Sequence, residues 1–286
     1  MVLESIIDPV VAEDKKYRLL WIGALFLFIA VILSLMVFEA YASILVVTLT
    51  AIAAVPLMYN IIKLEESKDI KLDNERSILK EHGKALAAFM FLFVGITIAT
   101  AIIYTALPWE TAKTAFSAQT ETLQNIRGSV TGNTILEQLV IFEKIFFNNV
   151  KVLIFAILFS FIFGAGAIFV LTWNATVIGV AIGNFVRGNL ASYAHLVGLD
   201  KVANYFTTIG IGLFKYAIHG IPEILAYFTA ALAGGIISVA VIRHDFGTPK
   251  FEKVILDTAN LLLISVCILF IAAVLEVWVT PLIFPF

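Results

Sequence analysis

Long uncharged apolar stretches dominate the chain and set the first expectation about its structure. A membrane-crossing helix needs about 20 consecutive apolar residues, and stretches of this length recur six times. Two further stretches, 175–186 and 202–214, are too short to cross alone and predict one broken or re-entrant passage. The six full spans are expected at residues 19–38, 41–62, 85–107, 152–173, 224–242 and 258–275.

The residues ahead of the fourth expected span follow a helical pattern of their own. Apolar side chains recur three or four positions apart over 135–146, while Glu137, Glu143 and Lys144 lie elsewhere around the helix. This pattern is typical of an interfacial amphipathic helix. Because hydrocarbon does not tolerate unpaired backbone groups and no strand-like alternation is visible, we predict an all-α polytopic membrane helix bundle. Residues 1–286 are expected to form a single integral membrane domain.

Composition agrees with the membrane assignment. Of the 286 residues, 61% are hydrophobic and 14% are charged, and the mean hydropathy is +1.00. Soluble domains are roughly 45–50% apolar and about 25% charged. The net charge is −2 and the basic residues are dispersed over loops, so we expect lipids and proteins, not nucleic acid, as partners. A single cysteine, Cys267, leaves no thiolate cluster, and neither a metal nor a cofactor is expected.

Lysine and arginine gather on one side of the expected spans. They precede the first span and fill the loop 63–84, and three more lie in the short loop 242–253. Loops rich in these residues stay in the cytoplasm. We therefore expect a multi-pass protein of the cell membrane with a cytoplasmic N-terminus and an external segment 108–147. Whether the segment 174–218 crosses once or re-enters stays open.

Ionisable residues inside the spans are the main candidates for function. Lys215, His219 and Glu223 lie in one apolar region, and Glu276 lies at the end of the last span. Such groups are rare in hydrocarbon and usually face the bundle interior or an aqueous cavity. With a rotation of about 100° per residue, His219 and Glu223 fall within about 40° of each other on one helix face.

The surroundings of His219 and Glu223 leave several roles open. The imidazole is expected to donate a hydrogen bond to the carboxylate four residues later, unless Pro222 begins a new helix there. The pair is then a structural latch, a site for protons or ions, or part of a surface for a partner. The motif "HGIPE" lacks the second histidine of a zinc-protease helix, so we predict no enzyme activity.

Asparagines and small residues mark expected contacts between helices. Asn149 and Asn174 are expected to bond across helices and join Lys215 in the intramembrane polar site. Small residues at four-residue spacing allow helices to approach closely. The positions assigned to helix packing are Gly164, Gly166, Gly179, Gly183, Gly220, Ala226, Ala230 and Gly234.

The order of these motifs resembles the stage II sporulation protein M family over about residues 140–240. The segment "FEKIFFNNVKVLIFAILFSFIFGAGAIFVLTWNATVIG" is followed by "HGIPEILAYFTAALAGG". Similarity to that family implies an asparagine before a glycine-containing span, an Asn-x-x-x-x-Gly junction and an HGxxE helix. The matching positions here are Asn149, Gly164, Asn174, Gly179, His219, Gly220 and Glu223.

The resemblance also bears on function. In spore formers the family is associated with membrane complexes that hold peptidoglycan-degrading enzymes at the engulfing septum. The first hypothesis is therefore a non-enzymatic membrane protein that anchors or organises protein partners; homo-oligomerisation stays open. The alternative is a transporter or channel that uses the His219–Glu223 site beside discontinuous helices.

Overall fold

The computed structural model describes residues 9–71, 75–127, 135–163, 167–192, 198–243 and 247–284, and nearly all of them are helical. A short 3₁₀ turn, Glu39–Tyr41, separates the second and third helices, and a π-helical turn, Leu275–Val279, joins the last two. The helices are α1 (Pro9–Asp14), α2 (Tyr17–Val37), α3 (Ala42–Lys71), α4 (Glu75–Ala106), α5 (Trp109–Ala115), α6 (Ser117–Arg127), α7 (Ile135–Phe163), α8 (Ala167–Ser192), α9 (Gly198–Ile242), α10 (Pro249–Val274) and α11 (Thr280–Ile283).

Seven helices within the described residues are long and apolar enough to cross a membrane. They are α2, α3, α4, α7, α8, α9 and α10. The described part of the chain contains no strand. The prediction of an all-α polytopic membrane helix bundle is confirmed.

The boundaries of the spans in the second half of the chain differ from the expected ones. Because α7 ends at Phe163 and α8 begins at Ala167, the expected span 152–173 is wrong. The segment expected to lie at the interface is the beginning of α7 instead, and the stretch 175–186 belongs to α8. The sequence between the two helices is uncharged, so hydropathy alone does not reveal where one helix ends and the next begins.

The expected broken passage is also wrong. The stretch 202–214 and the span 224–242 lie in one helix, α9, which is 45 residues long and contains Pro222. The polar residues between the two stretches interrupt the hydropathy signal without interrupting the helix. Both α8 and α9 are long and apolar enough to cross by themselves, which gives seven helices of membrane-spanning length and composition within the described residues.

Helix α9 lies at the centre of the bundle. It packs against α3, α4, α7, α8 and α10, and 83% of the residues in its most apolar segment are buried. The corresponding share is only 28% in α2, 22% in α7 and 28% in α10. These three helices therefore present most of their apolar surface outward, as expected for helices that face lipid.

A cluster of buried charges joins α1, α3 and α4 at one end of the bundle. Lys68 Nζ lies 2.6 Å from a carboxylate oxygen of Glu13, 2.6 Å from Glu65 and 3.1 Å from Glu81. The second oxygen of Glu65 lies 2.8 Å from Nδ1 of His82. Since the Glu65 side chain is fully buried, these contacts replace the water that the carboxylate loses. We call these five residues the charged end cluster.

Two further ion pairs bring other helices to the same end. Arg243, just after α9, lies 2.6 Å from the buried carboxylate of Glu66 on α3. Nε2 of His82 lies 3.6 Å from Asp257 on α10. Described residues of the two basic segments 63–84 and 242–253, which were expected on one side of the membrane, therefore lie at the same end of the bundle.

Candidate functional site

Polar side chains from α9 and from the π-helical turn meet inside the bundle. Glu223 projects from α9, and Glu276 lies on the turn Leu275–Val279. Both carboxylates are half-buried, and the two interact electrostatically. Turns of this kind contain one extra residue and occur frequently at functional sites.

Glu223 is held by a residue of its own helix. Its Oε1 accepts a hydrogen bond of 2.8 Å from the hydroxyl of Tyr227, which is fully buried. Glu276 also interacts electrostatically with this tyrosine. Among the described residues, no lysine, arginine or histidine lies within ion-pair distance of Glu223 or Glu276. Glu223 therefore has a hydroxyl donor, and within the described part of the chain neither carboxylate has a basic partner in salt-bridge contact.

His219 connects α9 to the helix that follows the π-helical turn. Its Nδ1 lies 3.3 Å from the hydroxyl of Thr280, which itself donates to the Leu275 carbonyl oxygen at 3.0 Å. The imidazole also lies beside the ring of Tyr216, with 6.5 Å between the ring centres. Lys215 is near enough to interact electrostatically with His219.

The expected bond between His219 and Glu223 is absent from the described hydrogen bonds. Although the two residues are four positions apart, the imidazole turns to Thr280 and the carboxylate turns to Tyr227. His219 has a better-placed partner on α11. Glu223 has a better-placed partner a single helical turn further along α9. The structure thus brings His219, Glu223 and Lys215 to one region but does not join the first two directly.

The two asparagines lie elsewhere. The side-chain amide of Asn174 donates to the Val170 carbonyl of its own helix at 2.8 Å. Asn149 is buried on α7. In the described hydrogen bonds neither amide reaches His219 or Glu223, so the expected polar site divides into a part on α9 and separate positions on α7 and α8.

Most of the described small residues assigned to packing lie at close helix contacts. A Cβ on Gly179 would lie 2.5 Å from the Cβ of Thr100, and one on Gly183 would lie 2.8 Å from the ring of Tyr104. On α9 a Cβ at Gly234 would lie 2.8 Å from the carbonyl oxygen of Ile157. Ala226 and Ala230 are fully buried on the same helix.

Three packing positions have a different outcome. A Cβ on Gly220 would meet nothing within 4 Å, so this glycine adjoins open space and not a neighbouring helix. The absence of a contact there contradicts the packing role expected from its spacing. Gly164 and Gly166 lie outside the described residues.

The sequence pattern does not identify two residues that contact the site. Tyr227 follows Glu223 by four residues, a spacing that places both on one helix face, but a tyrosine in an apolar run is equally typical of ordinary core packing. Thr280 carries no local signal, because it reaches His219 only through the packing of α11 on α9.

The chemistry of the site follows from its charge. Two negative charges facing each other in a medium of low dielectric repel strongly. The site reaches a stable state when a proton or a bound cation neutralises at least one of them. Tyr227, which donates to Glu223, stabilises the remaining negative charge.

Comparison with known proteins identifies the family. The model of the family described as "Stage II sporulation protein M" matches residues 24–281. Neither the curated proteins nor the solved structures gave a match. Because the match covers far more than half of the chain, this membrane-helical protein belongs to the stage II sporulation protein M family.

Proposed function

We propose that this protein is a non-enzymatic membrane protein that binds a proton or a small cation at Glu223 and Glu276, as a transporter or channel does. One observation carries the proposal. Two carboxylates from different segments interact electrostatically within helices that are long and apolar enough to cross a membrane, and neither has a basic partner in ion-pair contact within the described residues. A buried carboxylate pair requires a positive charge or a proton for its stability, and intramembrane ionisable residues mark ion pathways.

A row of polar residues on α9 supports the same proposal. Lys215, His219, Glu223 and Tyr227 follow one another at four-residue spacing along the helix. At a rise of 1.5 Å per residue, the row extends over about 18 Å, which is more than half of a hydrocarbon core about 30 Å thick. The row therefore places polar groups along the α9 face that leads from Lys215 to Glu223.

A second candidate is a membrane protein that organises partner proteins or further copies of itself. The close contacts at Gly179, Gly183 and Gly234 favour it, because they lock α9 and α8 against their neighbours. A bundle locked in this way is suited to hold a partner in a fixed position, whereas transport requires its helices to move.

Reconstitution in lipid vesicles separates the two candidates. We expect vesicles containing the wild-type chain to pass protons, Na⁺ or K⁺ down a gradient, and Glu223→Gln to abolish this flux. Glu143→Gln, which changes an exposed carboxylate on α7, is the matched control and should retain it. Absence of flux for every tested ion, together with a stable protein partner that copurifies, would reject the transporter and support the organiser.

We also propose that the chain resides in the cell membrane with the charged end cluster facing the cytoplasm. Arg243 and Glu66, from the basic segments 242–253 and 63–84, pair at that end, and basic segments between spans are retained in the cytoplasm. A cysteine introduced at the exposed Lys15 of a Cys267→Ala chain should then resist an impermeant thiol reagent in intact cells and react after lysis. Labelling in intact cells would reverse the orientation.

A further inference from the structure

We propose that a cavity between α4, α8 and α9 binds one acyl chain of a membrane lipid. The cavity has a volume of about 390 Å³, which lies within the range of about 300–1,000 Å³ that is usual for ligand sites. Its walls are almost entirely apolar. They include Phe93 and Ile98 of α4, Ile182 of α8, and Leu213, Tyr216 and Ile221 of α9.

Two glycines keep the cavity open. Gly210 and Gly220 of α9 both line it, and a Cβ on either would meet nothing within 4 Å. Gly212 of the same helix differs, because a Cβ there would lie 2.8 Å from the ring of Phe185. The space beside α9 thus exists because two of its residues have no side chain, and the backbone of α9 forms the wall at those points.

The cavity opens sideways from the bundle. Phe214 is 59% exposed, Ile221 is 51% exposed and Leu213 is 38% exposed, and all three line it. They lie within a membrane-spanning helix, so the surface that they expose faces hydrocarbon. Apolar cavities exclude water and accept apolar molecules. The molecule that surrounds this opening at the highest concentration is the lipid acyl chain.

The width of the possible occupants favours an acyl chain over a protein segment. A helix with its side chains is about 10–12 Å across, whereas a single flexible hydrocarbon chain is much narrower and can enter a cavity of about 390 Å³ between packed helices. This inference is independent of ion binding at Glu223.

Photolabelling of the full chain in lipid vesicles tests the proposal. The probe is a phosphatidylcholine with a diazirine in one acyl chain, and the labelled residues are located by mass spectrometry of peptides. We expect labels on the cavity residues of α4 and α9, and we expect Gly210→Leu and Gly220→Leu to reduce them about tenfold, because a leucine side chain fills the space. Gly188→Leu is the matched control: this glycine is exposed on α8 and also has open space beside it.

The outcomes separate cleanly. Should Gly220→Leu fail to give a monodisperse protein by size exclusion, Gly210→Leu decides alone. Labelling of the cavity residues that is equal in wild type and in the leucine variants overturns the proposal, as does wild-type labelling that is confined to other surfaces. A photoreactive residue at Phe214 gives an independent measurement. A phosphatidylcholine adduct supports the acyl chain, and an adduct with a second chain or another protein rejects it.

Discussion

Lys68 is the residue whose replacement tests the charged end cluster most directly. Its ammonium group contacts Glu13, Glu65 and Glu81 at 2.6, 2.6 and 3.1 Å, and its side chain is 19% exposed, whereas that of Glu65 is 0% exposed. The change Lys68→Met preserves the apolar stem and removes the charge. Glu65 is then a buried side chain whose remaining polar neighbours are the imidazole of His82 and the carboxyl group of Glu13.

The expected loss of stability follows from this geometry. Removing one partner of a buried ion pair costs about 3–5 kcal/mol. The lower end applies to Lys68→Met, because burial raises the pKa of Glu13 to about 7 and this carboxyl takes up a proton near neutral pH. With an unfolding entropy of about 2.1 cal/mol/K per residue, a loss of about 3 kcal/mol in a chain of this length lowers the melting temperature by roughly 5 °C.

The assay is the apparent melting temperature of the purified protein in detergent, followed by tryptophan fluorescence and by the monodisperse fraction. Lys84→Met is the matched control, because among the described ion pairs Lys84 contacts only Glu81, at 2.6 Å, and its side chain is 43% exposed. Exposed pairs of this kind contribute about 0–1 kcal/mol. Equal shifts in the two variants would refute the idea that Lys68 compensates buried charge.

Two further predictions concern α1 and the central helix. Because burial raises the pKa of Glu13 from 4.5 to about 7, its stabilising contribution is complete below about pH 4.5 and is lost as the pH rises through about 7. We expect Glu13→Gln to flatten the decline in melting temperature between about pH 5 and about pH 8. Asp14→Asn, at an exposed neighbouring residue, should leave that decline unchanged. Unchanged profiles for both variants contradict the prediction. Gly234→Ala places a Cβ 2.8 Å from the Ile157 carbonyl oxygen and should cost about 1–3 kcal/mol of unfolding free energy. Gly188→Ala meets nothing within 4 Å and should cost nothing, so equal losses would show that the close contact is unimportant.

The parts of the fold that follow from hydrocarbon thickness could be predicted from the sequence. The expected span 19–38 differs from α2 (Tyr17–Val37) by at most two residues at either end, because a helix must cover the apolar core and charges mark its limits. The boundary between α7 and α8 could not be predicted, since it falls inside an uncharged run of the sequence. The continuity of α9 was also missed, because polar residues reduce hydropathy without preventing helix formation.

The candidate site was only partly visible in the sequence for a related reason. Polar residue types in an apolar region identified His219 and Glu223, but their partners depend on side-chain direction and on tertiary packing. Tyr227 binds Glu223 within one helix, and Thr280 reaches His219 across a separation of 61 residues. The contact between Lys68 and Glu13 spans 55 residues and has no local pattern either. Periodicity describes one helix at a time and therefore does not reveal such pairs.

The π-helical turn Leu275–Val279 fixes the phase of the chain that follows it. Its extra residue rotates everything beyond Val279 by about 100° relative to an uninterrupted α-helix. Thr280 meets His219 only in this rotated phase. Deletion of one residue from the turn would restore a continuous helix while swinging the threonine hydroxyl about a quarter of a circle away from the imidazole. The insertion thus acts as a spacer that aligns the final helical turn with α9.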